Sequence, residues 1–93
     1  MKHQYRVTVE SLSEAGSGQD NTLRFDVENH DDIFVIVERL KQREEFSEEE
    51  AKAFGVGLKL FSEVMLKNKN APLFSGFLPH FVDFMKELKK GLA

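Results

Sequence analysis

Apolar and polar residues alternate strictly near the start of the chain. Tyr5, Val7 and Val9 fall on one side, and Arg6, Thr8 and Glu10 on the other. This period of two is the mark of a half-buried strand, whose successive side chains leave opposite faces. The strand covers residues 4–12. Leu12 is out of phase, so the strand ends near Ser11 or is re-aimed there by a bulge. The alternation returns over residues 22–28, where Leu23, Phe25 and Val27 oppose Arg24, Asp26 and Glu28. Residues 14–21 between them hold two glycines and nothing large enough to bury, which predicts an antiparallel hairpin with a long tip.

The period then changes to that of a helix. Asn29 or His30 is placed to cap a first helix, with Asp31 and Asp32 in its first turn, where the helix dipole favours negative charge. Ile33, Ile36, Val37 and Leu40 follow on one face, and Arg39, Lys41 and Arg43 suit its C-terminal end. Ser47 and Glu50 form a capping box for a second helix, with Phe46 and Ala51 as a hydrophobic staple. Its stripe is Ala51, Phe54, Leu58, Phe61 and Met65, widened by Leu60, Val64 and Leu66, the breadth expected of a central helix. Gly55 and Gly57 each cost about 1 kcal/mol relative to Ala in a helix interior. They therefore predict the close approach of another backbone, such as the hairpin's, or a kink.

Lys67 to Asn70 ends this helix, Pro72 to Ser75 forms a short helical turn, and Gly76 interrupts it. Pro79 suits the first turn of a last helix, where its missing N–H costs nothing. There Phe77, Phe81, Phe84 and Leu88 recur at helical spacing beside Met85, and Gly91 stops the helix. The resulting expectation is an α+β fold of order ββααα. In it residues 1–93 form a single domain, a two-stranded antiparallel hairpin packs on three helices, and their apolar sides close on one interior.

Composition narrows the chemistry. Without cysteine, the 93 residues can form no disulfide, thiolate metal site or thiol nucleophile. Apolar content of 41% is too high for a disordered acidic tail, and the apolar runs are far too short for a membrane span of about 20 residues. No secretory leader is recognisable in the first 20 residues, so a cytoplasmic location is the default expectation. The net charge of −3 is unevenly spread. Residues 1–50 carry 6 bases and 13 acids, whereas residues 51–93 carry 7 bases and 3 acids. Such a dipole orients encounters with a partner or a second copy.

Four segments carry a resemblance: Tyr5 to Glu10, Glu28 to Asp32, Gly57 to Met65 and Pro72 to Phe74. Together the chain resembles a small bacterial family catalogued as domain of unknown function 3861, over nearly its whole length. The resemblance implies a free-standing small bacterial protein and supplies no activity or site residues.

Candidate chemistry is sparse. His30, Asp31 and Asp32 are the most ligand-like cluster and carry an alternative reading as a small-molecule or metal site. Neighbouring helical residues fan out by about 100°, however, and seldom converge on one ion. Five acids, Glu44, Glu45, Glu48, Glu49 and Glu50, lack the spacing of a calcium loop and read as a solvated helix junction. His80 and Asp83 stand at i, i+3 with no nucleophile elbow beside them and read as a surface pair. Gly16, Ser17 and Gly18 lie between strands and lack the helix N-terminus that a phosphate site needs. The outer strand face has no aromatic residue and the balance is acidic, both of which argue against nucleic acid as a partner. One basic patch is conceivable if Lys67, Lys69, Lys86, Lys89 and Lys90 converge. No cofactor, metal or catalytic residue is assigned, and an enzyme is not expected.

Phe74, Phe77, Phe81 and Phe84 give the C-terminal segment more apolar area than one small core needs, making them a candidate interface. Two strands also leave two open edges, which a second copy could cover across a twofold axis. The sequence therefore points to a non-enzymatic interaction or regulatory module that self-associates through its hairpin edge or its Phe-rich helix.

Overall fold

The structure is a computed structural model that describes residues 2–13 and 21–90. Its elements are β1 (His3–Glu10), β2 (Thr22–Asn29), α1 (Ile33–Leu40), α2 (Glu48–Lys67), α3 (Pro72–Ser75) and α4 (Leu78–Lys90). This is the expected α+β layout, a two-stranded antiparallel hairpin followed by helices, with α3 a four-residue turn. The chain divides into two compact units, one ending at His30 and one beginning at Asp31. The tip at residues 14–20 and the stop at Gly91 lie outside the described residues.

The hairpin unit takes its register from the alternation. Tyr5 pairs with Val27, Val7 with Phe25 and Val9 with Leu23, so like faces meet, since a slip of one residue would set apolar against polar. On the other face the Arg6 guanidinium grips Asp26, with Nε 2.8 Å from Oδ1 and Nη2 3.2 Å from Oδ2. One turn of the ladder away, the Gln4 amide donates to Glu28 Oε1 at 2.7 Å. β1 ends at Glu10, and the Ser11 N–H still donates to the Asn21 carbonyl at 3.0 Å.

The helical unit begins later than its polar residues suggest. β2 continues through Asn29, which pairs with His3, so neither Asn29 nor His30 caps the helix. Asp32 does so, its Oδ1 accepting from the Phe34 N–H at 3.0 Å. The helix also stops at Leu40, leaving Lys41 as C-cap and Arg43 beyond the end. For α2 the capping box forms as expected. Ser47 Oγ accepts from the Glu50 N–H at 3.1 Å, and Glu50 Oε1 accepts from the Ser47 N–H at 2.9 Å. Ser47→Ala is expected to cost about 1 kcal/mol, measured by chemical denaturation.

The interior of this unit is Leu40, Ala51, Leu58, Met65, Phe81 and Leu88, with Ile36, Phe46, Phe54, Phe74, Leu78 and Met85 packed around them. The buried line on α2 runs Ala51, Gly55, Leu58, Ser62 and Met65. It is therefore rotated from the stripe of large residues, and Phe54 and Phe61 flank it. The cause is close helix packing. A Cβ on Gly55 would stand 2.8 Å from Val37 Cγ2 and 3.2 Å from Leu40 Cδ1, so α1 is the element that requires this glycine. The close neighbour is thus α1, where the sequence suggested the hairpin. Nothing lies within 4 Å of a Cβ on Gly57, so no neighbour explains that residue.

The buried line on α4 is likewise displaced. Phe81 and Leu88 are buried and Leu78 and Met85 are half-buried, giving spacings of 3, 4 and 3. Phe77 and Phe84 fall outside it. Phe61 stacks near Phe77 and Phe81, Phe54 near Phe84, and Arg43 reaches Leu88, so α4 runs antiparallel to α2. The C-termini of α2 and α4 accordingly point to opposite ends, so Lys67, Lys69, Lys86, Lys89 and Lys90 are not gathered at one helix-end patch, although Lys86 and Lys89 line a hollow that reaches Leu66.

Candidate interaction surface

The four phenylalanines of the C-terminal segment do not act alike. Phe81 is buried, Phe74 is half-buried, and Phe77 and Phe84 are 45% and 46% exposed. The α2 stripe predicts Phe61 in the core, yet it is 44% exposed and is the hub of an aromatic cluster. Its ring centroid lies 6.2 Å from those of Phe74 and Phe77 and 6.3 Å from that of Phe81, each in edge-on geometry. Edge-to-face pairs at such distances contribute beyond their buried area and hold the rings in place. The surface they make is thus rigid, anchored by Phe81 below and open at Phe61 and Phe77. The helical spacing alone could not separate them, because Phe61 is as apolar as any residue it sits beside.

Phe84 belongs to a second cluster. Its ring is 6.3 Å from Phe54, which is 5.2 Å from Phe46. Arg43 lies over Phe46, its guanidinium carbon 5.9 Å from the ring centroid, and donates to the Leu88 carbonyl at 3.0 Å. Its remaining nitrogens grip Glu45 at 2.8 and 3.1 Å. Arg43 therefore ties the segment before α2 to the end of α4. This hydrogen bonding holds the Glu45 carboxyl below its ordinary range and raises the Arg43 guanidinium.

Most of the acid run has partners. Glu48 meets Lys41 at 3.6 Å, Glu49 meets Lys52 at 2.9 Å, and Glu50 serves the cap. Glu49 is held low by the Lys52 hydrogen bond, as Asp26 is by Arg6. Carboxyls with lowered pKa stabilise the fold above their unfolded pKa, and that contribution disappears as pH falls through the lower folded value. The expected outcome is a midpoint of denaturation that declines slightly on acidification through the carboxylate range. The decline is small and is reduced by salt, because these pairs are exposed.

The ligand-like cluster is already engaged. Asp31 Oδ2 pairs with Lys59 Nζ at 2.5 Å, and Asp32 is the α1 cap. Among the described residues no group of three His, Cys, Asp or Glu could hold a metal ion. His80 and Asp83 are both exposed on α4. A cavity of about 370 Å³ lies among Ile36, Leu40, Leu58, Met85 and Leu88, with Asp31, Arg39, Lys59 and Lys89 at its rim. Among the described residues no helix is long and apolar enough to cross a membrane.

The chain is similar to a solved crystal structure, that of a protein of unknown function (eca1910) from Pectobacterium atrosepticum SCRI1043. The two share 40% identity over 97% of this chain and 99% of that one, with a TM-score of 0.87. Among curated proteins none matches. Residues 3–90 match the family described as "Domain of Unknown Function with solved-structure structure (DUF3861)". By that match over nearly its whole length, the chain belongs to the DUF3861 family.

Proposed function

We propose that this chain is a non-enzymatic protein-interaction module, regulatory in use, that binds other proteins or itself through fixed apolar surfaces. The observation that carries this reading is the aromatic cluster of the helical unit. Phe61 and Phe77 are locked against a buried Phe81, yet each leaves nearly half its surface to solvent. Aromatic side chains held rigidly at a surface lose little entropy on binding, which makes them efficient anchors. Val64 and Val82, each about half exposed, extend the apolar area on the same two helices. The uneven charge along the chain adds orientation to an encounter.

Affinity capture with chemical cross-linking from the native bacterium tests this, comparing wild type with Phe77→Ser and Phe84→Ser. Both variants are expected to keep the wild-type melting temperature within a few degrees, because the rings are half outside, and to lose the cross-linked partner. Equal recovery by all three proteins would place binding elsewhere. A second reading, small-molecule binding, is supported by the cavity rimmed by Asp31, Arg39, Lys59 and Lys89. Three of those four side chains are cationic, so its ligand would be an acid with an apolar body. Native mass spectrometry of the purified protein separates the two, since a co-purifying ligand at unit stoichiometry favours the second.

A further inference from the structure

We infer that the outer edge of β2 pairs antiparallel with the same edge of a second copy, about a twofold axis through Phe25. This rests on the interaction reading above and names the partner for the hairpin. The sheet of the described residues has two strands, so each has one edge without a strand neighbour. Such an edge carries a row of backbone donors and acceptors that template another strand. The bond from the Ser11 N–H to the Asn21 carbonyl fixes the alternation. Phe25 therefore turns its backbone groups toward β1, and Arg24 and Asp26 turn theirs to the outer edge.

Charge selects one register. With the axis at Phe25, each Arg24 stands opposite the partner's Asp26, Leu23 opposite the partner's Val27, and the two Phe25 rings face each other. Moving the axis to Arg24 sets two arginines opposite, which is repulsive. Moving it to Asp26 sets two aspartates opposite at the axis, and although Arg24 then meets the partner's Glu28, Leu23 falls opposite the polar Asn29. An axis between residues sets apolar against polar faces. Only the Phe25 register satisfies both faces.

It also continues what the hairpin already contains. Asp26 is gripped by Arg6 on one side and would meet the partner's Arg24 on the other, while the cross-strand partner of Arg24 within the hairpin is the neutral Thr8. On the opposite face, Val7 and Phe25 would extend to the partner's Phe25. Val9 and Leu23, 55% and 60% exposed, lie on that face. The β1 edge is less well matched. An axis at Arg6 opposes two arginines, and one at Val7 makes no ion pair. An axis at Thr8 sets Arg6 opposite the partner's Glu10, but that guanidinium is already held by Asp26, and Tyr5 would face the polar Ser11. An edge that brought like charges together would resist pairing, whereas Arg24 and Asp26, two residues apart and opposite in sign, complement themselves across a twofold.

Sedimentation velocity of the full chain from low to high micromolar concentration tests the inference, with Arg24→Glu and Asp26→Lys. Wild type is expected to sediment as a dimer, and each variant alone as a monomer with unchanged far-ultraviolet circular dichroism. An equimolar mixture of the two variants is expected to regain the dimer, because every cross-axis pair again has one acid and one base. A monomeric wild type, or a mixture that stays monomeric, would overturn the inference. Dimers retained by both single variants would also overturn it, placing the interface elsewhere and leaving the broader interaction reading intact. Species growing beyond the dimer would mean head-to-tail pairing of β1 with β2, which does not close, and would count against it too. The aromatic surface proposed above fails on a separate result, unchanged partner capture by the Phe77 and Phe84 variants.

Discussion

Leu40→Ala is expected to lower the unfolding free energy by about 2–5 kcal/mol, the range for emptying a fully buried leucine site. A domain of this size has on the order of 5–14 kcal/mol in total, so the loss is a large share of it. Leu40 has no exposed surface and closes the end of α1. It belongs to the interior formed with Ala51, Leu58, Met65, Phe81 and Leu88. Its Cδ1 already lies within 3.2 Å of where a Gly55 Cβ would stand, so the backbone of α2 cannot close inward much further to fill the gap. Urea denaturation followed by circular dichroism reads the change as a lower midpoint with an unchanged slope. A midpoint equal to wild type would show that α1 does not share the interior.

Gly55→Leu is expected to destabilise by roughly 3 kcal/mol, the upper end of ordinary overpacking costs, or to prevent folding altogether. The substitution improves helix propensity by close to 1 kcal/mol, so an isolated α2 would gain from it. Packing decides the sign. Even the first added carbon would sit 2.8 Å from Val37 Cγ2, on a short branched side chain that cannot swing away, with Val37 Cα 3.5 Å behind it. Gly57→Ala is the internal control. It sits on the same helix in open space and is expected to stabilise by up to about 1 kcal/mol. Opposite signs at two glycines two residues apart would locate the α1–α2 contact without coordinates. Val37→Ala in the Gly55→Ala background is expected to recover part of the loss, because it removes the methyl nearest the new carbon.

What could be read from the sequence was local. The capping box at Ser47 and Glu50 follows from four residues and forms as expected. The hairpin register follows from a period that admits only one alignment of two apolar faces. The α1 stripe of Ile33, Ile36, Val37 and Leu40 is right in that all four are buried or half-buried, with Leu40 packed among residues of both α2 and α4. The start of α1 was not readable, since Asn29, His30, Asp31 and Asp32 are all competent to cap and only the length of β2 chooses among them.

The burial of α2 and α4 was missed by a consistent amount. Hydrophobicity marks large residues, whereas the line of closest approach between helices selects small ones, here Gly55 and Ser62. That rotation moves Phe61, Phe77 and Phe84 toward solvent and leaves Phe81 inside. The proposed surface therefore shares one origin with the packing of α1. Of the four candidate interface residues, the sequence could identify the set but not its division. Phe61 escaped it because a residue at the margin of a stripe looks the same as one at its centre.

The most direct test of this account is hydroxyl-radical footprinting of the purified protein, read residue by residue by mass spectrometry. Phe61, Phe77 and Phe84 are expected to oxidise several-fold faster than Phe81, with Leu40 and Met65 protected. Protection of Phe77 and Phe84 equal to that of Phe81, at dilutions where the chain is monomeric, would contradict it. The aromatic stripe would then be interior, and no fixed apolar surface would be left to bind a partner.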